Sequence, residues 1–164
     1  MRWDQATGVS TAVTSDGISL YPQTDGLGVA WESRTVSLLT PFSLITHDLS
    51  SGATAVLSTG MSSFKLANGL LGWVDQTSVG TYVVTSQAIR AWDGATTTTL
   101  PSLLNSVFFG SSGGYVAFQE SGKLYAWSPA SGRTLLFDGP PGQVHLTGKT
   151  VYFVQQVLYA VTLP

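Results

Sequence analysis

A short strand-and-turn phrase recurs along this chain and restricts the folds that it can adopt. Each copy starts with an aromatic residue, continues with Asp or Ser, and enters a small polar turn that usually contains Gly. The copies occupy residues 3–8, 47–52, 92–96 and 127–132, and a degraded copy occupies residues 159–162. Aligned on the Asp or Ser position, successive copies lie 44, 45, 35 and 34 residues apart. Repeats of this length predict an array of small β-sheets.

The residue types of the phrase predict a tight turn between two strands. Asp48 stands three residues before Ser51 and four before Gly52, and Ser128 has the same position in its own copy. A short Asp or Ser side chain accepts hydrogen bonds from backbone amides within such a turn, and Gly adopts positive φ without a steric penalty. We expect the preceding aromatic residue to fill the wedge between neighbouring sheets; a stacking platform for a sugar or base is the alternative.

Four short strands are predicted in each repeat, and they are clearest in the third. Apolar segments at residues 106–109, 115–118, 124–127 and 133–137 are separated by clusters of Gly, Ser and Pro, a pattern typical of antiparallel hairpins. No long segment has a helical period, so the sequence predicts an all-β chain. The predicted units span approximately residues 1–15, 16–60, 61–104, 105–140 and 141–164, of which the first and last are partial.

Charge and composition exclude several classes of function. The chain has 164 residues, seven basic and nine acidic side chains among them, and a net charge of −2. The basic residues stand singly, so no patch can neutralise a run of phosphates, and we expect no nucleic-acid partner. Cysteine is absent, which removes disulfides and thiolate sites. No apolar run approaches the roughly 20 residues of a membrane-spanning helix, so no membrane span is expected.

The repeats resemble the blades of β-propellers, especially the TolB-like and quinoprotein-like groups within the WD-repeat-related class. A hairpin precedes Leu124-Tyr125-Ala126-Trp127-Ser128, and the turn after it ends at Gly132-Arg133, as in the family phrase LYAxDxxTGK. Ser128 replaces the Asp of that phrase, and Leu136 stands where quinoproteins have a Trp that docks blades. No quinone site is recognisable, so no cofactor is expected. The resemblance implies a propeller of four-stranded antiparallel blades, with about four blades' worth of strands in this chain.

The phase of the repeats raises the question of how such a ring would close. The chain begins inside a third strand and ends just after one, so residues 9–13 can complete the last blade by pairing beside residues 158–161 and close a four-bladed ring. Alternatively, two copies form one ring of about seven or eight blades, or the chain is the C-terminal part of a larger propeller; propellers typically have four to eight blades. We favour self-association or a companion chain, because exposed sheet edges are normally covered.

The predicted ligand-binding face is the end of the sheets that carries the loops between second and third strands. Function concentrates in variable loops on rigid scaffolds, and two of these loops hold insertions, at residues 35–42 and 77–87. His145, on a first strand, is a further ligand candidate, because first strands line the central channel of a propeller. The candidates on the loop face are Glu32, Arg34, Asp75, Gln76, Gln119, Glu120 and Gln155.

One catalytic pattern occurs, but its context is wrong. Gly110-Ser111-Ser112-Gly113-Gly114 fits G-x-S-x-G, and Asp138 and His145 follow in the order of α/β-hydrolases. That mechanism needs Ser112 on a strand-to-helix turn, whereas residues 115–118 predict another strand. We therefore expect no catalytic residue, and neither His47 nor His145 has a second ligand at metal-binding spacing.

These observations favour a non-catalytic binding scaffold that recognises protein or glycan through one loop face. The alternatives are a propeller enzyme, a hydrolase or lyase acting on polysaccharide, and a structural propeller portion of a larger enzyme or surface protein. The composition, rich in Ser and Thr and poor in Lys, resembles that of bacterial periplasmic or secreted propellers. Residues 1–4 lack the apolar core of a signal peptide, so an exported protein would have lost its signal or would carry it on a longer parent chain.

Overall fold

The computed structural model describes residues 2–4, 9–14, 19–34, 42–79, 83–100, 104 and 106–164. Every regular element among them is a β-strand, and all strand pairings are antiparallel, which confirms the prediction of an all-β chain. None of these residues belongs to a helix long and apolar enough to cross a membrane. The strands are β1 (Arg2–Asp4), β2 (Val9–Thr11), β3 (Ser19–Thr24), β4 (Gly28–Ser33), β5 (Phe42–Asp48), β6 (Thr54–Ala67), β7 (Leu70–Val79), β8 (Val83–Trp92), β9 (Thr97–Thr99), β10 (Val107–Ser112), β11 (Tyr115–Glu120), β12 (Lys123–Ser128), β13 (Gly132–Phe137), β14 (Val144–Thr147), β15 (Thr150–Val154) and β16 (Leu158–Thr162).

The third repeat forms a sheet of four strands in the order β10-β11-β12-β13. All four strands that the sequence predicts over residues 106–137 are present, and each pairs with the next along the chain. Val116, Ala117 and Phe118 on β11 are fully buried. Consecutive buried residues are expected in a strand that is covered on both faces.

The first and second repeats are joined in one sheet of seven strands, β3 to β9, whereas the sequence predicts two sheets of four. The cause is β6, which is 14 residues long and pairs first with β5 and then with β7. Met61 marks the change, because it lies opposite Phe42 and also opposite Asp75. Register shifts on both sides of Met61 bend the strand, as β-bulges do, so the two halves of the sheet face each other.

The last repeat contributes three strands, in the order β14-β15-β16. The predicted closure, in which residues 9–13 pair beside residues 158–161, is not formed among the described residues: β2 pairs with β1, and β16 pairs with β15. The local hairpin of β1 and β2 costs less loop-closure entropy than a pairing between the two ends of the chain.

Three apolar clusters hold the sheets together, and each draws its residues from two consecutive repeats. The sheets therefore pack face to face in the order of the chain. Trp73, Phe118 and Phe153 are the largest fully buried side chains, and each contributes roughly 1.5–3 kcal/mol through burial. The first cluster joins Ala30 and Leu44 to Leu71 and Trp73, the second joins Leu70 and Ile89 to Val116 and Phe118, and the third joins Leu124 and Ala126 to Val151 and Phe153.

The copies of the recurrent phrase at residues 47–52, 92–96 and 127–132 form the turns that the sequence predicts, and the turn of the copy at residues 3–8 lies outside the described residues. Asp48 Oδ1 accepts hydrogen bonds from the backbone N–H groups of Ser50 and Ser51 at 2.8 and 2.7 Å, and Gly52 has a φ of 73°. Asp93 Oδ1 accepts in the same way from the amides of the residues two and three positions later, at 3.0 and 2.8 Å. Ser128 Oγ accepts from its own turn at 3.1 Å.

The aromatic residues of the phrase pack against the core. Trp92 lies against the first cluster and Trp127 against the second. His47 is half-buried, and its Nδ1 lies 2.9 Å from Thr54 Oγ1 on the neighbouring strand. Trp92 and Trp127 thus have the wedging role that the sequence predicts.

Candidate functional site

The first strands of successive repeats lie side by side. β3 contacts β6, β6 contacts β10, and β10 contacts β14. In the second repeat the first strand is the part of β6 that follows Met61. Four repeats therefore present one strand each to a common inner edge.

Side chains on these strands bond to the backbone of their neighbours. Gln23 on β3 donates from Nε2 to the carbonyl oxygen of Phe64 at 3.3 Å and accepts at Oε1 from the amide of Leu66 at 3.0 Å. Ser111 on β10 is 3% exposed and donates from its hydroxyl to the carbonyl oxygen of Lys65. These bonds fix β6 between β3 and β10.

The hairpin turns that follow the first strands meet at one end of the sheets. Asp25 in the β3–β4 turn accepts a hydrogen bond at Oδ2 from the amide of Gly69 in the β6–β7 turn. Gly113 in the β10–β11 turn lies so close to the β14–β15 turn that a Cβ on it would overlap the carbonyl oxygen of Gly148. Contacts between turns thus connect consecutive repeats at this end.

A polar cavity of about 450 Å³ opens between the four first strands and their turns; we call it the inner cavity. A neighbouring cavity of about 420 Å³ shares Lys65, Ser111, His145 and Leu146 with it. The polar lining of the inner cavity comprises Thr24, Asp25, Lys65, Asn68, Ser111, Ser112, His145 and Thr147.

Two side chains that line the inner cavity, His145 and Asp25, already have hydrogen-bond partners. His145 Nε2 lies 2.9 Å from Thr147 Oγ1, which orients the imidazole and leaves Nδ1 for other partners. Asp25 Oδ1 accepts from the amides of Leu27 and Gly28, both at 3.1 Å, in addition to the bond that Oδ2 accepts. The carboxylate in the cavity is therefore engaged by the backbone on both oxygens.

Ser112 does not have the setting of a hydrolase nucleophile. It ends β10, and after the two glycines of the turn the chain enters β11, so no helix follows. Asp138 forms an ion pair with Lys123, with Nζ and Oδ1 2.7 Å apart, and does not line the inner cavity. Ser112 and His145 share that cavity, but without the acid this arrangement is not a catalytic triad. Within the described ranges no group of three or more His, Asp or Glu is placed to hold a metal ion.

Asp75 and Gln76, predicted on the ligand-binding face, lie together in a cleft of about 740 Å³. Asp75 Oδ1 accepts from Trp73 Nε1 at 2.7 Å and from the hydroxyl of Ser58, and Oδ2 pairs with Arg90. This cleft is at the other end of β7 from the β6–β7 turn. The insertion predicted at residues 77–87 lengthens the β7–β8 hairpin, which reaches Val79 and Val83, and most of the insertion at residues 35–42 lies outside the described residues.

Gln119 and Glu120 end β11 in the third sheet. Glu120 is 8% exposed and pairs with Arg133 at 2.7 Å. The guanidinium carbon of Arg133 lies 3.6 Å from the ring centre of Tyr125, so the ion pair packs on an aromatic surface. Gln119 is half-buried. Glu120 therefore has a structural partner.

The remaining candidates of the loop face also contact nearby groups. Burial raises the pKa of Glu32, and the adjacent Arg34 partly opposes that rise. The guanidinium carbon of Arg34 lies 4.3 Å from the ring centre of Phe42. Gln155 donates from Nε2 to the carbonyl oxygen of Pro140 at 3.1 Å. These residues are spread over the ends of different sheets, whereas His145 lies in the inner cavity.

Lys65 and Asn68 belong to the inner cavity and were not predicted from the sequence. Two signals point to their position. Lys65 is an exposed charge between the buried Phe64 and Leu66, and Asn68-Gly69 is a favoured dipeptide of two-residue hairpin turns. Asn68 has a φ of 52° and Gly69 a φ of 74°, which fit such a turn.

A further cleft, of about 530 Å³, lies between the first two repeats and is lined by the turns of the recurrent phrase. Its acidic residues are Asp25, Asp48 and Asp93, and each accepts backbone N–H bonds. The bonds from the Ser50 hydroxyl and the Ser51 amide lower the pKa of Asp48, and the Thr96 and Ala95 amides lower that of Asp93. The carboxylates of this cleft hold its turns, so the inner cavity is the stronger candidate.

Comparison with known proteins supports the fold alone. No family model matches the chain, and no curated protein matches it. Eight solved chains are similar. One is an acylaminoacyl peptidase in complex with Z-Gly-Gly-Phe-chloromethyl ketone, with a TM-score of 0.53 and 11% identity over 83% of this chain and 28% of that chain. Another is Pyrococcus horikoshii acylaminoacyl peptidase in an orthorhombic crystal form, with a TM-score of 0.35 and 9% identity over 90% of this chain and 39% of that chain. The chain thus spans well under half of either one.

Proposed function

We propose that this chain is a non-catalytic binding scaffold of the β-propeller type, with the inner cavity as its ligand site. The observation that carries the proposal is the convergence of strands from four successive repeats on one polar cavity of about 450 Å³. Ligand sites are typically concave, with volumes of about 300–1,000 Å³ and a few convergent polar groups. The ligand is a glycan or a protein segment that inserts a polar group.

The packing order of the sheets supports a propeller arrangement. Each apolar cluster joins two consecutive repeats, and the first strands share an inner edge. Radial repetition of antiparallel sheets around a central channel has these two properties. In this proposal each repeat is one blade, and β6 is shared by the first two blades.

The chemistry of the cavity supports binding in preference to hydrolysis. Glycoside hydrolysis commonly uses two carboxyl groups on either side of the scissile bond. Among the residues that the structure describes, Asp25 is the one carboxylate that lines the inner cavity, and three backbone amides bond to it. The other lining groups, hydroxyls, an amide, an ammonium and an imidazole, suit ligand recognition by hydrogen bonds.

Glycan and peptide arrays probed with the purified chain test this function. Ser112→Trp fills the inner cavity, and Thr134→Trp places the same side chain on an exposed position of β13 as a control. We expect binding that Ser112→Trp weakens roughly tenfold or more, that Thr134→Trp preserves, and that leaves the ligand uncleaved. Binding that survives Ser112→Trp, or cleavage of the bound glycan, contradicts the proposal.

A second candidate function is a structural one, as the all-β part of a larger hydrolase. It is favoured by the similarity to an acylaminoacyl peptidase of which this chain spans 28%. A purified chain that is poorly soluble and binds nothing on the arrays supports this candidate. A soluble chain that binds through the inner cavity argues against it.

We also propose that the chain associates with another copy or a companion chain through β16. In the described part of the structure this strand pairs on one side only, and Leu158 is 69% exposed. Exposed apolar edge strands are templates for added strands. Light scattering is expected to show an assembly larger than one chain that Leu158→Lys weakens; a strict monomer contradicts this association.

A further inference from the structure

We propose that the inner cavity is a carboxylate site in which the ammonium group of Lys65 is the principal anchor. This inference deepens the proposed binding function and rests on it. The ligand is a small acid, or an acidic group at the end of a larger ligand, that enters from the end of the sheets where the hairpin turns meet. Two sources share this chemistry: the carboxylate of a sugar acid and the terminal carboxylate of a peptide.

Among the basic side chains that the structure describes, Lys65 is the one without a hydrogen-bond, ion-pair or aromatic partner. It lines the inner cavity and its neighbour, and its Nζ has neither a hydrogen bond nor an ion pair within the described ranges. The other five basic side chains described have partners: Arg34 lies over Phe42, Arg90 pairs with Asp75, Lys123 with Asp138 and Arg133 with Glu120, and Lys149 donates to the carbonyl oxygen of Pro164.

The carboxylate that shares the cavity with Lys65 does not form an ion pair with it within the described ranges. Asp25 shares the cavity with Lys65, but both of its oxygens accept backbone hydrogen bonds from Leu27, Gly28 and Gly69. These three bonds tie the carboxylate to two turns. The cationic charge of Lys65 is therefore available to a group that comes from solution.

The backbone of Lys65 is held on both sides. Its carbonyl oxygen accepts the hydroxyl of Ser111, and Gln23 bonds to Phe64 and Leu66, the residues before and after it. The side chain of Lys65 therefore extends from a backbone position that is fixed before a ligand binds, so no backbone ordering is needed on binding.

The neutral donors around Lys65 suit a carboxylate in preference to a phosphate. The side chains of Ser112 and Asn68 line the cavity with no hydrogen bond to another described residue, and Nδ1 of His145 is a further donor in the tautomer whose Nε2 accepts from Thr147. A carboxylate has one negative charge and two acceptor oxygens, which match one ammonium and two or three neutral donors. A phosphate carries about 1.5 to 2 charges at neutral pH and is commonly bound by bidentate Arg groups, which this cavity lacks in the described lining.

Isothermal titration of the full chain with four probes tests the inference. D-Glucuronate and N-acetyl-L-alanine carry the carboxylate, and D-glucose and N-acetyl-L-alaninamide are their neutral counterparts. We expect one of the two acids to bind at least tenfold more tightly than its counterpart, since a charge-assisted hydrogen bond contributes about that factor. The acid that binds identifies the source of the ligand.

Lys65→Met removes the charge but keeps the length of the side chain, and Lys123→Met does the same on the third sheet, away from the cavity. We expect Lys65→Met to weaken binding of the acid roughly tenfold, Lys65→Arg to retain part of it, and Lys123→Met to leave it unchanged. Equal binding of acids and neutral probes, no binding of either acid, or wild-type affinity in a folded Lys65→Met overturns the inference. Array ligands that depend on Ser112 but not on Lys65 overturn it while leaving the proposed function intact.

Discussion

The hydroxyl of Ser111 donates a hydrogen bond to the carbonyl oxygen of Lys65 and thereby joins the first strands of two repeats. Ser111 is 3% exposed, so the bond is shielded from water. It adds a side-chain bond between β10 and β6 at the residue whose side chain lines the inner cavity. The residue whose side chain is the proposed ligand anchor is therefore also the one whose backbone connects two repeats.

Ser111→Ala is expected to destabilise the fold by about 0.5–1.5 kcal/mol, because it removes a buried hydrogen bond between the first strands of two repeats. Urea unfolding followed by tryptophan fluorescence measures the change. Ser86→Ala, at an exposed position of β8, is the control and is expected to change stability by less than about 0.5 kcal/mol. Equal effects of the two variants would show that the bond between the strands contributes nothing.

Gly113→Ala tests the contact between the β10–β11 and β14–β15 turns. Gly113 has a φ of +58°, and its new Cβ would overlap the carbonyl oxygen of Gly148. Gly122→Ala is a matched control, since Gly122 has a φ of +75° with no atom within 4 Å of the added Cβ. Both variants incur the cost of a left-handed alanine, about 1 kcal/mol, but only Gly113→Ala has the steric term, about 1–3 kcal/mol more. Similar melting temperatures for the two variants would contradict this packing of turns.

Acid is expected to destabilise the chain through the turns of the recurrent phrase. Hydrogen bonds lower the pKa of Asp48 and that of Asp93 in the folded state. Their stabilisation is therefore fully present above the unfolded pKa, about 4, and is lost as the pH falls through the lower folded values. Asp48→Ser keeps a hydrogen-bond acceptor, as Ser128 does in the third repeat, but removes the titrating group. As the pH is lowered from 7 to 2, the melting temperature of this variant should fall less steeply than that of the wild type. An unchanged dependence on pH would contradict this role of Asp48.

Glu120→Gln separates a structural role from a binding role on the predicted loop face. The substitution removes the charge that pairs with Arg133 at 2.7 Å in a largely buried position. We expect a loss of about 1–3 kcal/mol in the free energy of unfolding, together with unchanged ligand affinity. A variant that is as stable as the wild type but has lost ligand binding would show that Glu120 has a binding role and not a structural one.

Local features of this fold could be predicted from the sequence. The turn at Asp48 depends on residues within four positions of each other, and the buried run at residues 115–118 depends on residue type alone. Both are fixed by short-range chemistry, so they were visible in the repeats. The positions of the wedging Trp92 and Trp127 follow from the same local pattern.

The inner cavity could not be predicted in the same way, because its residues come from four strands that are distant along the chain. Lys65 has no motif around it, and its importance depends on which acids the fold engages elsewhere. The continuity of β6 was also missed: residues 54–67 pair with two different strands in turn, which is decided by how two sheets pack and not by any residue that stops a strand.

The most direct measurement of the central claim is the set of backbone amide chemical shifts that change when D-glucuronate or N-acetyl-L-alanine is added to the labelled chain. We expect the changes to concentrate at the inner cavity, at Lys65, Asn68, Ser112 and His145, and we expect Lys65→Met to need roughly ten times more acid for the same changes. Changes centred on Gln76 and Gln119 at the opposite end of the sheets, or no changes with either acid, would contradict the central claim.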